Sequence, residues 1–446
     1  MKISGWKYLW SAHDIRRKLL ITLMILAIYR LAAHVPVPGV NREAIQQILA
    51  GGGAAGTLVN LLDLLSGGTV SNFSVLAMGV YPYITSSIIL QLLVPIIPAL
   101  QRRMQEDPRE GRKWMEKYTL LLAVPMAALQ AIGQINLFTT FAGGVPILEG
   151  FGLRGETFLP SITIILSMTA GTLFAIWLGE LISEFGIKKQ GLSLIIFAGI
   201  VAGVPMNLGS ILADEQYRYV SLFFMVIFTT LTIFAIVFVQ QGQRNVPVMY
   251  PGRRMGNRMS MPVKGTLPLR VNMAGMIPII FAQSLLTFPA ILASFFSGSQ
   301  TEWIANLAIG ITNTFGGGGS AYYIMFFLMV VAFTFFYTDV LFSQQNYGEN
   351  LKRVGAQIPG VSRGAPTQKY LTRVLRRITF PGAVFLGVVA ILPWLIGLVI
   401  PFGGTTGLLM VTSVGLLIVV GVVRDTFFNL QAELKLHGYD EALLVR

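Results

Sequence analysis

Residues 56–93 read GTLVNLLDLLSGGTVSNFSVLAMGVYPYITSSIILQLL, and the fold turns on how this stretch is read. Two helix-compatible pieces are separated by Ser66-Gly67-Gly68-Thr69 and by Ser71-Asn72. The first is apolar yet carries Asn60 and Asp63, and at about 11 residues it is too short for a bilayer core that needs about 20. It can dip into a membrane but not cross it. The second, 73–97, is long enough to span. Irregular backbone beside a full span is tolerated only where it is buried in protein or lines an aqueous cavity. Two readings stand at this point: a re-entrant half-helix beside a cavity, or an interfacial helix in a surface loop.

The rest of the chain sets the context. Of 446 residues, 54% are hydrophobic and only 12% charged, which is the composition of a polytopic membrane protein. Apolar segments near 19–37, 73–97, 118–138, 159–179, 191–210, 218–240, 274–296, 321–342, 379–400 and 408–427 predict ten spans, with both termini on one side. A net charge of +13 is also met in nucleic-acid-binding chains, but here the basic residues lie between spans on alternate sides. Arg16, Arg17 and Lys18 precede the first span, Arg102 to Lys117 follow the second, Lys188 and Lys189 follow the fourth, and the connections 241–272 and 343–378 are rich in both. Only Arg30, Arg42, Arg154 and Arg218 fall on or towards the other side, so the positive-inside bias predicts cytoplasmic termini. Residues 2–18 form a basic amphipathic arm suited to the membrane surface, and no cleavable signal is evident.

With no cysteine and three scattered histidines (His13, His34, His437), a disulfide frame, a thiol nucleophile and a Cys or His metal cluster are excluded. No H-E-x-x-H and no paired intramembrane carboxylates occur, so we expect no catalytic residues, metal or cofactor. Glu180, Glu184, Asp339, Arg424 and Asp425 all fall near predicted cytoplasmic ends of spans. That argues against the competing class, an ion-coupled secondary transporter, and against a charged selectivity ring. Mid-span Val80 with Ile84, and Ile196 with Ile200, are i,i+4 pairs; ordinary packing and pore lining both account for them. The connections 241–272 and 343–378 are too long for simple turns. Their composition, with helix-compatible stretches at 349–353 and 369–377, predicts structured basic protrusions that dock an RNA-rich particle or an acidic protein face. Finally, AMGVYPYI at 77–84 and MAGMIPII at 273–280 share Gly, Pro and Ile spacing at equivalent spans of two five-span halves. An odd number of spans per half makes the halves inverted in the membrane.

Several long motifs in the right order resemble the SecY family, the channel subunits of the bacterial protein translocon. They are DIRRK at 14–18, PVPG at 36–39, FSVLAMGVYPYITSSIILQLL at 73–93, SLIIFAGI at 193–200, LPLRVNMAG at 267–275, ENLK at 349–352, and IVVG at 418–421 with Asp425-Thr426. The resemblance implies an all-α polytopic membrane protein, ten transmembrane helices in two inverted five-helix halves around a central pore. The halves would be 1–215 and 216–430, with 431–446 a cytoplasmic tail. The half-helix (56–68, with Asn60, Leu61, Leu62, Asp63 and Leu64) would be a re-entrant plug. Val80, Ile84, Ile196, Ile200, Ile280 and Ile418 would form an aliphatic pore ring. The implied lateral gate lies between spans two and three and spans seven and eight, with Ser86, Ser87, Gln130, Gln283 and Ser284 as its polar candidates. Docking of the SecA ATPase or the ribosome would fall to Arg253, Arg254, Arg258 and Arg270 in one loop and Arg363, Lys369 and Arg373 in the other. SecE and SecG, signal-sequence-bearing polypeptides and the lipid bilayer are the other implied partners; the location is the bacterial plasma (inner) membrane and the role non-enzymatic. Two stretches depart from the pattern. GIKKQG at 186–191 replaces a usual G-I-G-N-G, and PGVSRG at 359–364 puts Ser362 where arginine is expected, with Arg363 one position later.

Overall fold

The computed structural model describes residues 13–41, 69, 73–141, 147–148, 151–152, 157–188, 190–213, 218–251, 254–255, 258–259, 263–296, 301–315, 319–399 and 406–436. The expected plug, with Asn60, Leu61, Leu62, Asp63 and Leu64, lies outside these residues, as do Arg253 and most of the amphipathic arm. The helices are α1 (His13–Ala32), α2 (Tyr81–Ile96), α3 (Pro98–Glu106), α4 (Pro108–Phe141), α5 (Phe158–Phe185), α6 (Gly191–Ala213) and α7 (Arg218–Gln241). After the strands β1 (Gln243–Tyr250), β2 (Arg254–Met255), β3 (Arg258–Met259) and β4 (Val263–Arg270) come α8 (Ile277–Ser294), α9 (Glu302–Phe315), α10 (Ser320–Gln345), α11 (Tyr347–Arg353), α12 (Ala365–Val399) and α13 (Thr406–Leu436).

Every expected span coincides with a helix, though not always with its bounds. Among the described residues five helical stretches are long and apolar enough to cross a membrane, among them Phe158–Phe185 and Ala365–Leu392. The pair Tyr81–Val94 and Pro98–Met104, bent by 94°, counts as a broken span, and Gly191–Pro205, Met225–Gln241 and Ile277–Ala293 are shorter apolar helices. Pro98 sets the bend, because the residue before a proline is driven out of the helical region; Ile97 is extended, at φ −98° and ψ 108°. Asp107 then starts α4, its Oδ1 accepting the backbone N–H groups of Arg109 and Glu110, each at 3.1 Å. The helix faces that look outward are strongly apolar. Leu23, Leu121, Leu166, Phe234 and Phe238 are all exposed, which water would not tolerate over so much surface and lipid does.

The second span corrects the expectation. Its helix begins at Tyr81, not at Phe73, and residues 73–80 form turns. The backbone there is committed elsewhere: the Val37 N–H donates to the Phe73 carbonyl at 3.1 Å and the Val75 N–H to the Val35 carbonyl at 2.9 Å. Pro82 then sits in the first helical turn, where its missing N–H costs nothing. The same device recurs at the seventh span. Gly79 (φ 49°) and Gly275 (φ 66°) each stand two residues before a helix whose first turn holds a proline, Pro82 or Pro278. The weak repeat between 77–84 and 273–280 is thus a repeated local geometry. The two helices also run in opposite senses, because Tyr81 at the start of α2 reaches Ser284 deep in α8, and Ala77 and Met78 share a cavity with Ile291 near its end.

Both long connections are structured and fold together. The strands β1 and β4 form an antiparallel hairpin, paired from Gln243↔Arg270 to Tyr250↔Val263. At Met249 the hairpin is bonded to Gln357 of the other connection by two backbone hydrogen bonds, 2.8 and 2.9 Å. Beneath it Val246, Val248, Leu269, Phe342, Ala356, Ile358, Leu371 and Leu375 form an apolar core of their own. Within the expected second connection, 343–378, lies α11 from Tyr347, and α12 begins there at Ala365. At the chain's end α13 runs on to Leu436, past the expected limit of the second half at 430.

Candidate functional site

The six aliphatic residues expected at a pore lie on four elements. Val80 caps α2 and Ile84 lies in its first turn, where the Ile84 N–H donates to the Val80 carbonyl at 3.1 Å. Ile196 and Ile200 lie on α6, Ile280 on α8 and Ile418 on α13. All belong to one apolar cluster: Val80, Ile196, Ile280 and Ile418 are buried, and Ile84 and Ile200 are half-buried against it. That cluster extends through much of the bundle, and both halves of the chain contribute to it. Among the described residues the buried polar side chains are all Ser, Thr, Asn or Gln, and none group into a His, Asp and Glu cluster able to hold a metal ion. A waist of branched hydrocarbon excludes ions by dewetting and offers a passing peptide no particular partner.

Beside this cluster α2 and α4 meet α8 along a polar seam. The Tyr81 hydroxyl donates to the Ser284 carbonyl at 3.2 Å, a direct bond between the halves. Gln130 Nε2 donates to Thr85 Oγ1 at 3.0 Å, which ties α4 to α2 rather than across the seam. Ser86 donates to the Pro82 carbonyl of its own helix at 2.7 Å, and Ser87 accepts from Gln91 at 2.8 Å, so neither hydroxyl bridges the halves. Such i−4 back-bonding is the usual resource of serine in a membrane helix. Both amide atoms of Gln283 and the Ser284 hydroxyl are buried without a hydrogen-bond partner among the described residues. A cavity of ≈ 20 Å³, lined by Tyr81, Gln130, Gln134 and Ile291 among others, is large enough for one water. Tyr81, Thr85 and Gln134 were missed by the sequence reading; Gln134, four residues after Gln130 and so on its helix face, had a visible signal.

The residues expected to dock partners lie at the end of the bundle that carries the long connections. Arg254 and Arg258 are in the short β2–β3 pair at the hairpin tip. Arg270, at the hairpin base, places its guanidinium 4.9 Å from the ring centre of Phe428 on α13, a cation–π contact. Arg363 is exposed before α12, and Lys369 and Arg373 are exposed on its first turns.

A lipid-facing helical bundle with an apolar interior and a buried polar seam is the architecture of a polytopic membrane protein. The SecY family model matches residues 74–427, and the chain belongs to the SecY family. The protein translocase subunit SecY of Aquifex aeolicus is 38% identical over 437 residues, covering 96% of each chain. That of Chlamydia trachomatis is 36% identical over 458 residues, covering 98% of this chain and 97% of the other. Among solved structures, a protein-conducting channel superposes with a TM-score of 0.60 at 17% identity, covering 94% of this chain and 92% of the other. Sec61 from a canine ribosome–channel complex does so with a TM-score of 0.55 at 18% identity and the same coverage. At such identities the likeness is one of fold. The function is that of a protein-conducting channel subunit of a protein translocase.

Proposed function

We propose that the chain sits in the bacterial plasma membrane with both termini in the cytoplasm, passes unfolded secretory chains outward through the waist, and releases apolar segments sideways between α2–α4 and α8–α10. The observation that supports this reading is that Val80, Ile84, Ile196, Ile200, Ile280 and Ile418, drawn from both halves, all belong to one apolar cluster. They act as the resting seal, with residues 56–68 as the plug beneath it. A signal helix opens the seam by offering its apolar surface in place of contacts worth about 1 kcal/mol per interhelical hydrogen bond. The chain itself is non-enzymatic. SecA or the ribosome supplies the driving force at the two joined basic connections, through residues such as Arg254, Arg258 and Arg363, and SecE and SecG complete the complex. The test is export into vesicles reconstituted with the chain, its partners and the motor: a signal-bearing precursor becomes protected from added protease only when this chain is present. Protection that is equal without it overturns the reading.

A further inference from the structure

On α4 the residues Gln130, Gly133, Gln134 and Leu137 recur at steps of three and four and share one face. That face meets α8, where Gln130, Gln134, Leu137 and Ile291 all line the ≈ 20 Å³ cavity. Gly133 is buried at the crossing, and a Cβ placed on it would stand 2.3 Å from Ile291 Cγ2 and 3.3 Å from Phe295 Cε2. Carbon atoms rest about 3.5–4.0 Å apart, so the glycine lets the helices approach roughly 1.5 Å nearer than an alanine would. Ile291 cannot yield cheaply. It is 2% exposed, and its Cγ2 sits on a branched Cβ that holds one strongly preferred rotamer in a helix. An added methyl group must therefore move α8 itself.

Other crowded glycines face neighbours within their own half of the chain: Gly171 the Val75 carbonyl, Gly179 the side chain of Leu192, Gly387 that of Phe327. Gly133 differs in kind, because its neighbours belong to the half across the seam. Helices in a membrane have no hydrophobic drive to associate, and small residues bring them together by close packing. This packing exists only while the seam is closed, and any strain built into it is relieved when the seam opens. The balance between the two states thus depends on the size of one side chain.

We propose that Gly133 sets the stringency with which the channel selects its substrates: having no side chain, it lets α4 seat against Ile291 and Phe295, so that only a competent signal segment parts the seam. This rests on the seam being the lateral gate proposed above. In vesicles reconstituted with the full chain and its partners, Gly133→Ala should raise export of a precursor with an impaired signal, relative to an intact one, about tenfold, the usual scale of overpacking by one carbon. Ile291→Leu keeps the side-chain volume but leaves a single γ carbon that can turn away, and in the double variant it should restore the ratio. Gly179→Ala, crowded within one half, should lower the melting temperature and leave the ratio unchanged. The contact itself is read by dipolar EPR between spin labels at the exposed Leu129→Cys and Leu292→Cys, in a chain with no other cysteine. Their separation should widen in Gly133→Ala and return in the combination with Ile291→Leu. An unchanged separation would overturn the proposal and leave the gate standing, whereas a widened seam with an unchanged export ratio would overturn the gate reading and the proposal with it. A ratio raised equally by Gly179→Ala, or no rescue by Ile291→Leu, would reduce Gly133 to ordinary packing and overturn the proposal. If Gly133→Ala alone does not insert, the double variant decides: insertion with the original ratio supports the proposal, and failure to insert overturns it.

Discussion

Gly275 precedes α8 with φ 66°, and no neighbouring atom lies within 4 Å of where a Cβ would stand. Its requirement is therefore conformational, and Gly275→Ala should cost about 1–2 kcal/mol, read as a lower melting temperature of the chain in detergent. Gly310, inside α9 and equally uncrowded, should behave oppositely, Gly310→Ala adding about 0.5–1 kcal/mol. A fall at both would show that crowding, not backbone geometry, sets the cost. The seam residues also divide by sign. Tyr81→Phe removes the bond to Ser284 and should ease opening by about 1 kcal/mol. Gln283 is fully buried with both amide atoms unpaired among the described residues, so the closed seam carries a penalty that opening relieves, and Gln283→Leu should favour closure by about 1–3 kcal/mol. Export of a precursor with an impaired signal sequence, relative to an intact one, should rise in the first variant and fall in the second; shifts in the same direction would contradict this account of the gate. Sequence reading found the polar types at the seam but not their partners. Whether Ser86 reaches across or bonds back to Pro82 is decided by a rotamer, which leaves no trace in residue order.

Among the elements, the paired connections are the least expected. The alternation of buried Val246 and Val248 in β1 is a strand signal, yet Pro247 and Pro268 in the paired strands mask it, since proline ordinarily demotes a strand. They are accommodated because the hairpin has only two strands. Its stability comes from the small core that it shares with α12, whose Leu371 and Leu375 are fully buried. Phe342 fills that core at 1% exposure; Phe342→Ala should cost about 3–5 kcal/mol locally. The expected result is rapid trypsin cleavage at Arg363 with the helical content of the bundle unchanged, and unchanged cleavage would show that the connections do not depend on their common core. The late start of α2 was equally hidden, because a span-length apolar run does not reveal that its first residues pair with Val35 and Val37.

At the scale of the molecule, the halves meet at two junctions of different character. One is the α2–α8 seam. At the other, α13 packs on α6, while Lys18 of α1 pairs with Glu433 and Asn429 Nδ2 donates to the Lys188 carbonyl at 3.3 Å. A tied junction and a marginal seam suit a molecule that opens on one side. The helices at the expected spans were legible in the sequence because an apolar run is a local sum. The proposed waist was not, since nothing in the i,i+4 spacing of Ile196 and Ile200 implies Ile280 or Ile418 beside them; only the family motifs suggest it. The waist is also where the account is most exposed to test, and a chain without cysteine makes the measurement clean. A cysteine is placed at Ile84 or Ile200, a secretory precursor with one cysteine in its mature region is stalled in transit, and disulfide formation is scored. The account predicts a crosslink at both positions that requires the signal sequence and the motor or ribosome. No crosslink at either, with an efficient one from a lipid-facing Leu166→Cys control, would contradict it.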